Sequence, residues 1–214
     1  MGDTLSYEQA LKYAVLGEAV FIIGSGFSLD AYNHLEGNNK LWLSGKLASE
    51  LSKKVDMDDD SSLDIVSQEY IDLYGESKMI EYLKDHFIVS GYADYYKSLA
   101  RINQLKVFST NYDDLVEKIY EDEQINIDGL DIDCDIRNFK KEKYVFHLNG
   151  YIRYLNDCIP DSFKLTHLSY NNTDFFNSPW YSYFVGELFA AKAIFIIGIS
   201  FNSDLDLRRI ISDD

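Results

Sequence analysis

Proline and cysteine are nearly missing from this chain, with two of each in 214 residues. So little proline beside 17 tyrosines excludes a proline-rich linker or a low-complexity segment. Cys134 and Cys158 make neither a CxxC pair nor a zinc quartet, which excludes a thiolate metal site and leaves free thiols as the expectation. Positive charge is scarce too: 20 Lys and Arg stand against 36 Asp and Glu, a formal net charge of −16. Such a surface repels phosphate backbones, so neither nucleic acid nor an anionic membrane is the expected partner. No apolar run approaches the length of a membrane span. Met1-Gly2-Asp3-Thr4-Leu5 lacks the basic start and apolar stretch of a signal peptide, and a cytoplasmic protein is expected. The acidic run Asp56-Met57-Asp58-Asp59-Asp60 lacks the spaced ligands and turn glycine of a calcium loop, and reads as a solvated loop.

What is present is a chain 46% hydrophobic, long enough for one domain with a real core. Four short apolar runs each stop at a small polar turn. Ala19-Val20-Phe21-Ile22-Ile23 meets Gly24-Ser25-Gly26-Phe27-Ser28, and Leu105-Lys106-Val107-Phe108 meets Ser109-Thr110-Asn111-Tyr112-Asp113. Tyr144-Val145-Phe146 meets His147-Leu148-Asn149-Gly150, and Ala193-Ile194-Phe195-Ile196-Ile197 meets Gly198-Ile199-Ser200-Phe201-Asn202. Continuous β-rich runs of this kind read as strands buried on both faces. Helical spacing marks 7–16 (with Thr4 as N-cap), 41–53, 63–74, 78–87, 92–104 and 113–120. Ile125-Asn126-Ile127 reads as a further short strand, and 166–192 as one or two helices broken by Pro179. The alternation predicts an α/β fold, a doubly wound, mostly parallel sheet with a helical insertion over roughly 41–104. The prediction is a single domain over 1–214. With no strand after the last helix, an N-terminal fragment of a longer protein is expected.

In open parallel sheets ligands bind beyond the carboxyl ends of the strands, which gathers the four turns on one rim. Gly24, Ser25, Gly26, Phe27 and Ser28 suit close approach to a phosphate, although a tight structural turn explains the glycines as well. The third glycine of a dehydrogenase fingerprint is missing, since Leu29 stands there. Asn111 is either a helix cap or a catalytic amide, with Asp113 holding the loop. His147 is either structural or a proton acceptor near neutrality. Beside Gly198, Ser200 or Asn202 could bind a ribose or adenine edge, while a helix cap by Ser203 or Asn202 explains the residues nearly as well.

Taken in order, GSGFS, STNYDD, FHLNG and GISFNSD resemble the sirtuin-type NAD-binding domain. More narrowly, they resemble the zinc-less sirtuin-like domains of bacterial antiphage defence proteins. The resemblance spans residues 18 to 204. It has two departures: Ser25 replaces the usual alanine, and Asn149 stands where a second histidine is common. It implies a Rossmann-like fold without a zinc module. It also implies that Asn111 and His147 are the catalytic pair, that Asp113 holds Asn111, and that the glycine turn, Ser28 and Ser200 hold NAD. The implied activity is an NAD hydrolase giving nicotinamide and ADP-ribose, with no metal, which drains NAD during phage infection. Such an activity implies restraint by homo-oligomerisation, a ligand, a regulatory partner protein or a phage-derived trigger. Two alternatives are a non-catalytic NAD or ADP-ribose sensor module and an NAD-dependent protein deacylase. The lack of zinc ligands weighs against the deacylase.

Overall fold

The computed structural model describes residues 5–35, 39–140, 142–172 and 175–199. Its centre is a five-stranded parallel sheet, made of β1 (Ala19–Ile23), β4 (Lys106–Ser109), β5 (Asp128–Leu130), β6 (Tyr144–His147) and β7 (Ala193–Ile197). The strand order is β5-β6-β4-β1-β7 and every pairing is parallel. The fold is α/β and Rossmann-like, as the alternation predicts. The register lines up Ile197 with Ile23, Ile23 with Ser109, and Ser109 with His147. One rim therefore carries all four polar turns.

Side chains alternate across a strand, and β1 shows what that does here. Ala19, Phe21 and Ile23 join a core with Leu115, Ile119 and Tyr120, while Val20 and Ile22 join a second core with Phe108, Trp180 and Phe184. Each fully buried Ile or Phe is worth about 1.5–3 kcal/mol, so a strand buried on both faces anchors the sheet. The edge strand β7 departs from the pattern: Ile194, Ile196 and Ile197 stay partly exposed.

Helix α1 (Tyr7–Val15) starts on a capping box of Ser6 and Gln9, two residues after the expected Thr4 cap, which lies outside the described residues. The insertion is not wholly helical. It carries α2 (Ser44–Val55), α3 (Leu63–Tyr74) and α4 (Glu76–Phe87). It also carries an antiparallel pair, β2 (Ala31–Asn33) with β3 (Val89–Tyr92). The expected helix over 92–104 is a 3-10 segment, Asp94–Arg101. The expected strand at 125–127 forms three residues later, as β5. Helix α5 (Leu115–Asp122) follows β4, and α6 (His167–Asn172) and α7 (Pro179–Ala190) precede β7, with Pro179 opening α7 rather than breaking a helix. The insertion has a core of its own, where Leu47, Leu51, Met79, Leu83 and Phe87 pack on Ile152, Leu155 and Phe163. Asp114 pins it to the sheet domain by accepting from Val89 N–H at 2.8 Å and from Arg153 Nε at 2.6 Å. The acidic run lies in the α2–α3 loop with its aspartates exposed. Cys134 and Cys158 are free.

Candidate functional site

A cavity of about 340 Å³ opens where the rim faces the insertion. The rim supplies its polar wall: Ser25, Ser28, Thr110, Asn111, Asp113 and Asn149. The insertion supplies the apolar wall, with Leu41, Trp42 and Leu47 from the segment entering α2, Leu63 from α3 and Phe87 from α4. No lysine or arginine lines it among the described residues. The size suits a nucleoside-sized ligand.

The polar wall is a directional relay. The Asn111 side-chain amide donates to the Gly24 carbonyl at 3.0 Å and to Ser28 Oγ at 3.1 Å. Ser28 Oγ donates in turn to Asp113 Oδ2 at 2.9 Å. Asp113 Oδ1 accepts from Leu115 N–H at 3.2 Å at the start of α5. A carboxylate only accepts, so Ser28 must spend its single proton on Asp113 and can only accept from Asn111. That fixes the carboxamide: both its N–H groups are used, and the carbonyl oxygen Oδ1 is left for a ligand. Burial pushes the Asp113 carboxyl up to about 6, against the hydrogen bond from Ser28 that favours its ionised form.

His147 does not face this cavity, which corrects its expected place as the base beside Asn111. It is 1% exposed. Its Nδ1 lies 3.0 Å from the main-chain carbonyl of Asn111 and its Nε2 lies 2.8 Å from Glu117 Oε1. The carbonyl can only accept, so Nδ1 carries a proton. The Glu117 carboxylate opposite Nε2 favours a second proton on the ring. Burial alone would push this imidazole down, but the Glu117 carboxylate outweighs it and the net direction is up. The ring stacks on Tyr151 at 4.2 Å. The physical reason is registry: His147 is the last residue of β6, still inside the sheet, whereas Asn149 has cleared it. Asn149 lines the cavity and donates to the Thr110 carbonyl at 2.9 Å. The departure from the familiar motif at position 149 thus falls on the cavity wall itself.

The glycines of the first turn answer to another demand. Gly24 N–H donates to Ile197 O at 3.0 Å, Gly26 N–H to Gly198 O at 2.9 Å, and Phe27 N–H to Gly24 O at 2.8 Å. These amides are spent inside the fold, a correction to their expected role as a diphosphate cradle. A Cβ on Gly24 would meet Gly198 O at 2.7 Å, and one on Gly26 would meet Gly198 Cα at 2.8 Å. Gly198 itself has φ +68, a conformation that favours glycine. The turns after β1 and β7 cross so closely that neither tolerates a side chain. Only a short 3-10 turn, Ser25–Ser28, follows Gly24, so no α-helix dipole adds to the turn. Gly26 and Phe27 border a second cavity of about 420 Å³ with Tyr95, Tyr96 and Ile197. Ser200 and Asn202 lie outside the described residues.

Sequence reasoning missed Glu117. Its signal is its spacing, since Glu117 falls among Val116, Ile119 and Tyr120 on the buried side of α5 and a charged residue there needs a buried partner. Among the described residues no group of three or more His, Cys, Asp or Glu could hold a metal ion. No helix among them is long and apolar enough to cross a membrane.

A family model described as a SIR2-like domain matches residues 105–213, just over half of the chain. A search of curated proteins finds no match.

Proposed function

Because the chain belongs to the SIR2-like domain family, a family that uses NAD, we propose that the rim cavity takes NAD and hydrolyses its nicotinamide–ribose bond. The observation that carries this reading is the orientation of Asn111. Asn111 lines the cavity with both side-chain N–H groups engaged by Gly24 and the Ser28–Asp113 relay, which leaves its carbonyl oxygen as the acceptor for a ligand. An acceptor so fixed can take a hydrogen bond from a ribose hydroxyl or from the attacking water, at no reorganisation cost when the reaction occurs. Nicotinamide leaves as a neutral molecule from a cationic precursor, so no general acid is needed, unlike ordinary glycosidases with their paired carboxyl groups. Water adds to the anomeric carbon, the glycosidic bond breaks, and one proton passes to solvent. Among the described residues the cavity wall bears no cation to compete with a pyridinium ring, and its buried carboxyl favours one. In the cell this chemistry would deplete NAD during phage infection, under the restraint of oligomerisation, a ligand or a partner.

One observation favours a second reading, a module that binds NAD or ADP-ribose without turnover. The imidazole at the end of β6 is locked behind the rim, and the cavity has Asn149 instead. Nicotinamide release and NAD binding, measured on wild type, Asn111→Ala and Asn149→His, separate the two. Release by wild type that Asn111→Ala abolishes supports hydrolysis. Binding without release supports the second reading, and Asn149→His is then expected to gain turnover by the ~10²–10⁴-fold that a positioned base supplies. Wild type that neither binds nor cleaves NAD defeats both.

A further inference from the structure

The buried Glu117–His147 pair has no contact with the cavity, yet it ends on Asn111. The ring's Nδ1–H donates to the Asn111 main-chain carbonyl at 3.0 Å, and Glu117 holds the other nitrogen at 2.8 Å. Both residues are 2% exposed or less. The same asparagine is held from the other side through its own side chain by Gly24 and Ser28. Its main-chain N–H is taken as well, by Ser109 Oγ at 3.0 Å. Residue 111 is therefore fixed at its N–H, its C=O and its side-chain amide. The C=O is the only one of the three held by a charged group.

We propose that Glu117 and His147 are positioning residues for Asn111, an ion pair that clamps its main-chain carbonyl so that the carboxamide stays aimed into the cavity. The physical argument is one of cost. A buried ion pair is often no more stabilising than apolar residues of the same shape, so stability alone gives little reason for one. An apolar pair could not hold a carbonyl, and an imidazole without Glu117 would be free to turn. Glu117 holds the ring's plane through Nε2, and the ring holds the carbonyl through Nδ1. Glu117 arrives from α5, and Asp113 lies just ahead of that helix and accepts from its first N–H, so one helix start sets both the clamp behind Asn111 and the relay in front of it.

The aim of Asn111 rests on geometry alone, whereas its consequence for NAD rests on the function proposed above. The test therefore has two readouts. The first needs no ligand: the side-chain amide resonances of Asn111 in the ¹⁵N–¹H NMR spectrum, assigned by their loss in Asn111→Ala. Replacing the pair by apolar residues of similar shape, E117L with H147F, is expected to leave thermal stability near that of wild type and to shift or broaden those resonances. Glu117→Gln is expected to leave them in place. Its amide can donate to Nε2, which keeps Nδ1–H on the carbonyl. Unchanged resonances in the apolar double variant overturn the proposal, as does their loss in a folded Glu117→Gln. The second readout is a cycle on NAD turnover or affinity. If the pair acts through Asn111, adding Asn111→Ala to the apolar variant costs less than about twofold beyond the larger single effect, whereas independent roles multiply. Multiplying effects overturn the proposal. Wild type without any NAD binding defeats the functional reading only, and the resonances still decide this one.

Discussion

Asn111 and His147 lie at the ends of neighbouring strands on the same rim, both are buried, and they do opposite things. The asparagine has spent its donors on the fold and offers an acceptor to the cavity. The histidine has spent both ring nitrogens and offers nothing. A residue's chemical type says what it could do, but its distance past the strand end says whether it can. Two residues decide it: His147 is still in the ladder, opposite Ser109, while Asn111 lies two residues beyond Ser109.

Stability gives the largest way to break that contrast. Glu117→Ala leaves the His147 imidazolium buried and unpaired, and is expected to cost about 3–5 kcal/mol in denaturant unfolding. A cost below about 1 kcal/mol would mean the pair is not buried as described. Asn111→Ala should behave in the reverse way. Its unfolding free energy should fall by about 1–3 kcal/mol, for the partners it leaves unmet. Nicotinamide release should fall ~10²–10³-fold, the usual cost of removing a fixed group that faces developing charge. If the two variants show the same balance of stability and activity loss, the contrast between the two sites is wrong.

Asp113 sharpens the comparison through pH. Its folded pKa is raised to about 6 from an ordinary 3.8, so its stabilising contribution is full below pH 4 and is lost as pH rises through 6. Two units correspond to about 3 kcal/mol, which Asp113→Asn should remove from the pH dependence of unfolding. Function runs the other way. Below pH 6 the protonated carboxyl no longer forces Ser28 to donate, the aim of Asn111 loosens, and turnover or NAD affinity should fall with an apparent pKa of about 6. Asp113→Asn presents a donor to Ser28 at every pH and should be impaired throughout. An acid limb that survives in this variant would assign the titration to another group. The His147 pair has its own sign: with its pKa raised, its contribution is full below about 6.5 and is lost only as pH rises through the higher folded value.

The parallel sheet and the position of the insertion were legible because continuous apolar runs have few other uses; the strand order was not. The polar turns were legible as a set, and Asn111 lines the cavity as its place after β4 suggested. Facing was not legible. Whether a polar residue at a strand end points out or back depends on its register and on a partner from elsewhere in the chain, here Glu117 on α5, 30 positions away. The first glycine turn misled for a related reason. Glycine fits close approach, but the approaching group is the Gly198 main chain of the adjacent loop. This last point yields the smallest predicted effect: Gly26→Ala should cost about 1–3 kcal/mol by overpacking the crossing. A neutral substitution would show that the crossing has slack.

The central claim is that Asn111, and not His147, meets the ligand. A crystal structure with ADP-ribose, the product that water cannot consume further, tests it most directly. The account predicts a hydroxyl of the terminal ribose within about 2.7–3.2 Å of Asn111 Oδ1 and no ligand atom touching His147. A ribose bonded to the imidazole, with the Glu117 contact broken to admit it, would contradict it.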